Sequence, residues 1–344
     1  MSPPLPTEDL DQVLRQVGGL WDRLDGKRVL FTGASGFFGS WMLESLLHAG
    51  TKRNLPFQAI AVTRNAQRFS QKFPHMACDS RVDIMESDTA TMPVPDGPVD
   101  YIVHSLVPDT GTPLGEIDSF FESATRRLLD TAAAKASQGL LLCSTGAVYQ
   151  PADPPLPFSE EDPLVPLDGP LSYGQIRRKV EAQCLKAMNE KNVPVKIARG
   201  FAFVGPRLPL NANFAIGNFI RDALAGGPIV VKGDGTAVRS YLYAADMAVW
   251  LWTILFQGLP GRAFNVGSEE VIHVSDLAST IAGMLHVRTS ITGTPIPGAA
   301  PASYVPRTRR AERELDLRAW TGQREGIEKT IHFSATGFQT VLPG

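Results

Sequence analysis

Three cysteines in 344 residues, Cys78, Cys143 and Cys184, are too few, too scattered and odd in number to build a disulfide framework. Their scarcity predicts a reducing cytoplasm. Long apolar runs are missing too: the longest, MAVWLWTILF from Met247 to Phe256, is too short to span a bilayer. The first residues, MSPPLPTEDLDQ, lack the charged-then-apolar layout of a signal peptide. Neither sign of charge dominates, since the net charge is -2 at pH 7, and so no field draws nucleic acid or an anionic membrane. The one basic cluster, RTRRAER from Arg307 to Arg313, reads as the solvated start of a helix. The histidines His48, His75, His104, His273, His286 and His332 show no paired spacing and have no cysteine pair beside them, which leaves a metal site without support. There is no G-x-S-x-G elbow, no GxxxxGK[ST] phosphate loop and no internal repeat. A soluble α/β protein is what these absences leave.

What is present starts with RVLFTGASGFFG, Arg28 to Gly39, a short apolar run that ends in three glycines spaced three apart. Val29, Leu30 and Phe31 suit a buried parallel strand, and Trp41, Met42, Leu43, Leu46 and Leu47 then recur at helical spacing. In such a strand–turn–helix, Gly33 allows the tight turn, Gly36 lets the backbone approach a pyrophosphate, and Gly39 packs the helix close to the strand. The N–H groups of Phe37, Phe38 and their neighbours at the helix start then face an anion. The stretch predicts a dinucleotide site. A second strand, QAIAVT (Gln58 to Thr63), lacks the usual acid for an NAD ribose, with none between Ser45 and Cys78. Arg64 stands there instead, where a guanidinium pairs with a 2′-phosphate or stacks on adenine, so the expectation is NAD or NADP with a lean to NADP. Asp88, closing a third strand over Arg81 to Asp88, is placed to reach the adenine.

Further strands are expected over Val99 to Leu106 and Gly139 to Thr145, with a helix over Ile117 to Ala136 between them. Strands alternating with helices predict a doubly wound parallel sheet with ligands off the carboxyl ends of its strands. Ahead of it, Leu10, Val13, Leu14, Val17, Leu20 and Trp21 predict an amphipathic helix that packs on the core. The expected division is an N-terminal helical extension over 1–26, a dinucleotide-binding domain over 27–205 to which the chain returns near 240–267, and a smaller substrate-binding domain mainly over 206–344. The proline- and acid-rich loop Gln150 to Gly169 sits on the ligand edge as a candidate pocket wall.

Two stretches carry chemistry: CSTGAVY (Cys143 to Tyr149), with Ser144 and Thr145 at the tip of a strand, and SYGQIRRKVEAQC (Ser172 to Cys184) at the start of a helix. Together with TGASGFFG, RGFAFVGPRLP, GDGTAVRSYLYAADMA, AFNVGS and YVPRTRRAERELDL, they give a chain that resembles the extended short-chain dehydrogenase/reductase family over nearly its whole length. The likeness is strongest to that family's NAD(P)-dependent nucleotide-sugar epimerases and dehydratases. The resemblance implies a Rossmann fold and a nucleotide-sugar substrate. It implies Thr145 and Tyr173 as catalytic, Arg239 as a contact to the nucleotide diphosphate, and Asn213 in the segment covering it. It also implies a homodimer paired through helices near Phe120 to Ala136 and Gln175 to Met188. A phenol with a reference pKa of about 10 must lose its proton near neutrality to draw one from a sugar hydroxyl, and nearby cations favour that loss.

The chain also departs from the family pattern. Arg177 stands four residues after Tyr173 where the family has lysine, and Lys179 points away from that helix face. Arg177 is therefore the residue expected to hold the nicotinamide ribose and favour the Tyr173 phenolate, with a planar fork in place of an ammonium. Gly146, Ala147 and Val148 stand where relatives that dehydrate or decarboxylate carry an acid. The family's asparagine after Arg199 is Ala202, and its second diphosphate arginine before YVP is missing. The reading is an epimerase or reductase acting at C4 through a 4-keto intermediate. The alternatives are a 4,6-dehydratase or decarboxylase, or a dinucleotide-binding protein whose catalysis is lost or altered.

Overall fold

The computed structural model describes residues 1–338 apart from 110, 153, 154, 156 and 299. Asp153, Pro154 and Leu156 of the proline-rich loop therefore lie outside the described residues. Six strands follow in chain order, β1 (Lys27–Thr32), β2 (Phe57–Thr63), β3 (Val82–Glu86), β4 (Tyr101–His104), β5 (Gly139–Thr145) and β6 (Val195–Gly200). With an edge strand, Ala263–Val266, they make one seven-stranded sheet in the order 3-2-1-4-5-6-edge, every pair parallel. The order reverses at β1, and the carboxyl ends of β1 and β4 open the crevice where this class of sheet takes its ligands.

Alternation along each strand divides the core between two faces. Val29 and Phe31 point to the side covered by helix Phe37–Arg53, the N-terminal helix Thr7–Val17 and helix Ala244–Gln257. Leu30, Ile60, Ile102, Leu140, Leu142 and Ile197 point to the other side, under helices Leu114–Ala134 and Tyr173–Lys191. Helix Ala244–Gln257 accounts for the apolar run at Met247–Phe256. It is buried on all sides from Ala244 to Phe256, so its sequence has no polar face. No helix among the described residues is long and apolar enough to cross a membrane.

Element ends differ from expectation for local reasons. β3 stops at Glu86 because the Asp88 carboxylate accepts the Ala90 N–H at 2.8 Å and turns the chain. The helix expected from Ile117 starts earlier, at Leu114, and ends at Ala134 ahead of Ala136, whose φ of 49° is left-handed. The later chain builds three small sheets: Ile229–Val231 with Thr289–Ile291, Val238–Ser240 between Val271–His273 and Ser303–Tyr304, and Phe203–Val204 with Leu242–Tyr243. Helices Ala215–Leu224 and Val274–Leu285 pack beside the first of these.

Candidate active site

The glycine turn after β1 has the shape its spacing suggests. Gly33 has φ 73°, and a Cβ there would stand 2.5 Å from the Ser105 carbonyl oxygen beyond β4. A Cβ on Gly39 would overlap the Gly33 carbonyl, so only glycine lets helix Phe37–Arg53 lie this close to β1. Gly36 is exposed and opens that helix without any side-chain cap, which leaves its first N–H groups for an anion. The rings of Phe37 and Phe38 pack against Phe203, with Phe38 edge-on at 5.0 Å, and so hold the helix start in place.

At the end of β2, Arg64 pairs with Asp109 at 2.9 Å, both side chains well exposed. Asp88 is occupied by the turn it caps.

Thr145 lies at the tip of β5 and begins a short 3-10 turn, its Oγ1 accepting the Ala147 N–H at 3.2 Å. Tyr173 is the first residue of helix Tyr173–Lys191, with the Ser172 hydroxyl capping that helix by accepting the Gln175 N–H at 3.1 Å. A Cβ on Gly174 would collide with the Ala147 carbonyl, so the helix start is pressed onto the turn after β5. That contact holds Tyr173 at the carboxyl end of β5, near Tyr304, whose phenol it influences. Tyr173 remains 36% exposed and has no hydrogen-bond partner among the described residues.

Sequence reasoning missed Tyr304. Its hydroxyl lies 3.3 Å from Thr145 Oγ1 across 159 residues of chain. Burial pushes the Tyr304 phenol up to about 12, with Tyr173 adding to the rise and Thr145 opposing it. Tyr304 therefore keeps its proton across the physiological range. No spacing in the sequence signals this contact, because strand Ser303–Tyr304 reaches the site from the small three-stranded sheet.

Arg177 is 2% exposed. One Nη donates to the Cys143 carbonyl on β5, and the guanidinium carbon lies 4.6 Å from the centre of the Phe121 ring. Its Nε and other Nη have no partner within the protein. Buried donors of this kind are costly to leave unmet, and these suit the hydroxyls of a ribose. Next to Arg177, His104 at the end of β4 is held neutral. Burial and then the Arg177 charge push it down to about 3, and its Nδ1 lies 2.9 Å from Thr32 Oγ1. Lys179 does face away, bonded to Asp118 at 2.7 Å on the outside of the helix.

Among the described residues, the carboxylates near these groups are engaged. Glu181 reaches Ser144 at 2.6 Å but is also held by Arg199 at 3.1 and 2.8 Å. Arg199 in turn donates to Tyr149 at 2.9 Å, and Tyr149 to Asn265 at 2.7 Å. Glu160, whose carboxyl burial pushes upward, accepts the Asn265 N–H at 2.8 Å. Arg239 is half-buried beside Tyr304, its Nη1 donating to the carbonyls of Val238 at 2.8 Å and Ala302 at 3.2 Å. Asn213 is exposed in the bend before helix Ala215–Leu224. Cys78, Cys143 and Cys184 are all free thiols.

The family model described as NAD dependent epimerase/dehydratase matches residues 29–267. The chain belongs to that family. A curated relative, UDP-glucuronic acid decarboxylase 1 of Danio rerio, is 25% identical over 317 residues, which is 90% of this chain and 73% of the relative. Among solved structures, a UDP-glucuronic acid 4-epimerase from Bacillus cereus, in complex with UDP-glucuronic acid and NAD, superposes with a TM-score of 0.77 at 20% identity. It covers 90% of this chain and 99% of its own. A dTDP-glucose 4,6-dehydratase from Streptomyces venezuelae, with NAD and TYD bound, gives 0.78 at 21% identity over 91% and 98%. At these identities the solved structures fix the fold, and the family match makes the nucleotide-sugar, NAD(P)-dependent class that of this chain's relatives.

Proposed function

We propose that this protein is an NAD(P)-dependent enzyme that oxidises C4 of a nucleotide-linked sugar and returns the hydride, giving the C4 epimer. The observation that carries the reading is the exposed Tyr173 at the same end of β5 as Thr145, with Gly146, Ala147 and Val148 between Thr145 and Tyr149 and Glu181 spent on Arg199. Among the described residues, the site has a proton acceptor for one hydroxyl and no second unpaired acid for elimination at C5 and C6. The residues fit the cofactor: Gly36 leaves the helix start open, and Arg177 holds two unmet donors. A nicotinamide bound there supplies hydride acceptance and return. Tyr173 takes the C4 hydroxyl proton and gives it back. Thr145, hydrogen-bonded to Tyr304, orients that hydroxyl. Arg177 holds the ribose through its two unmet donors. Arg239 and Asn213 hold the diphosphate, and Arg64 and Asp88 border the adenosine. A homodimer paired through helices Leu114–Ala134 and Tyr173–Lys191, in a reducing cytoplasm, belongs to the same proposal.

A second reading is decarboxylation, favoured by a curated decarboxylase that spans 90% of this chain. A 4-keto uronic acid is a β-keto acid and loses carbon dioxide without a further catalytic acid, so the residues between Thr145 and Tyr149 do not forbid it. Incubation with UDP-glucuronic acid and UDP-glucose, with NAD or NADP added, separates these readings by mass spectrometry. A product of unchanged mass that chromatography resolves from the substrate supports epimerisation, and loss of carbon dioxide supports decarboxylation. Bound dinucleotide without any product overturns both and leaves a dinucleotide-binding protein.

A further inference from the structure

The segment that carries Tyr304 is fixed from both sides. Tyr304 itself pairs in parallel with Arg239. Just past it, the Phe158 N–H donates to the Val305 carbonyl at 2.8 Å, and the Arg307 N–H donates back to the Phe158 carbonyl at 2.7 Å. The Tyr304 ring packs on Phe201, centre to centre at 4.8 Å, and meets Phe158 edge-on at 6.3 Å. Phe201 in turn lies against the turn after Thr145, since a Cβ on Gly146 would stand 2.6 Å from that ring. Backbone and ring together deliver the phenol to Thr145, 3.3 Å from its Oγ1. Among the described residues no other group stands ready to accept the Tyr304 proton.

Hydrogen-bonding capacity then decides what Thr145 can do. A phenol is a much stronger acid than an aliphatic alcohol, so Tyr304, protonated at neutral pH, is the donor of the pair. A threonine hydroxyl has two lone pairs and one proton. The Ala147 N–H takes one lone pair at 3.2 Å, and Tyr304 takes the other. We infer that Tyr304 is a positioning residue that leaves the Thr145 hydroxyl able only to donate, toward the sugar oxygen on the reacting carbon. This role rests on the reading of Thr145 and Tyr173 as the groups that handle the C4 hydroxyl. A sugar hydroxyl that meets Thr145 must accept from it and keeps its own proton for Tyr173. Without the Tyr304 proton, Thr145 regains a lone pair and can accept from the sugar instead, which turns the sugar proton away from Tyr173.

The test is a double-mutant cycle on the full chain, with steady-state turnover of UDP-glucose and UDP-glucuronic acid in the presence of NAD or NADP. Tyr304→Phe removes one oxygen and keeps the ring on Phe201. It is expected to lower kcat about ten- to hundredfold while KM and dinucleotide affinity stay within about threefold. Thr145→Ala should lower kcat at least as far. Adding Tyr304→Phe to Thr145→Ala should then change kcat by less than about twofold, because Tyr304 acts through Thr145 alone. An equal further loss in the Thr145→Ala background would show that Tyr304 acts independently of Thr145 and overturn the role. A lower melting temperature with kcat intact would make Tyr304 a packing residue, and a rise in KM alone would make it a substrate contact; each overturns the role. In all these cases an active wild type leaves the proposed function standing. A wild type inactive on both sugars removes that function, and the role of Tyr304 with it.

Discussion

Tyr173 and Arg177 stand one helical turn apart and reach the site differently. Tyr173 stays open to solvent, whereas Arg177 is buried against Phe121 and the Cys143 carbonyl. With the phenol as proton acceptor, Tyr173→Phe should lower turnover about 10²- to 10⁴-fold and leave dinucleotide affinity within about twofold, as turnover assays and fluorescence titration would show. An active Phe variant would move the proton transfer elsewhere. Tyr304, kept protonated by burial, is no substitute. Arg177→Lys keeps a charge but loses the fork, and Arg177→Met loses both. With the buried guanidinium as the ribose contact, Arg177→Met should weaken dinucleotide binding about tenfold or more and Arg177→Lys less, as fluorescence titration would show. Equal affinities in all three proteins would take Arg177 out of the cofactor site. Tyr173 and Arg177 came from the family resemblance of SYGQIRRKVEAQC, and helical spacing only put them on one face of the helix. Tyr304 was not legible, because its contact with Thr145 depends on how a distant strand docks.

Helix Ala244–Gln257 shows a similar limit for a whole element. Its composition marks it as buried, and AADMA places it near the first domain, but the partners of its lone acid come from both ends of the chain. Asp246 accepts the N–H groups of Trp320 at 3.0 Å and Thr321 at 2.9 Å, and the Gln12 amide at 2.5 Å. Burial nonetheless pushes Asp246 up to about 7, opposed by those two N–H bonds, and the buried Asp9 nearby adds to the rise. In the unfolded chain such a carboxyl ionises at about 4. Between those two values the folded protein binds the extra proton, so stability falls as pH rises through this window, by at most about 4 kcal/mol in all. Wild-type protein should therefore melt several degrees lower at pH 8 than at pH 5. Asp246→Asn should flatten the difference, since the remaining carbonyl keeps the two backbone bonds and the Gln12 amide can turn to accept. A variant with the same fall as wild type would place the titrating group elsewhere.

For the whole molecule, the sheet was the most legible part. β1 to β5 follow from short apolar runs at regular intervals, and the parallel order follows from the helices between them. The small sheets of the later chain were not legible in detail. Strands of two or three residues such as Val238–Ser240 and Ser303–Tyr304 carry too little pattern, and their pairing depends on segments far apart in sequence. The dimer expectation came from the family resemblance, and helices Leu114–Ala134 and Tyr173–Lys191, which it pointed to, carry apolar stripes. Those stripes are spent on the chain's own sheet, through Ile117, Phe121, Leu128, Ile176, Val180 and Cys184. The outer faces hold ion pairs, Lys179 with Asp118 at 2.7 Å, Lys191 with Asp130 at 2.6 Å, and Arg126 with Glu122 at 2.5 Å. A second copy seated here would meet charge instead of an apolar surface, and exposed charges are screened by salt. Association through this face should thus weaken between about 50 mM and about 500 mM salt, where the Debye length shrinks severalfold, and Lys179→Glu should weaken it further by setting a second acid beside Asp118. Light scattering across that range decides the matter: a dimer that holds unchanged in high salt, and in Lys179→Glu, must use a different surface.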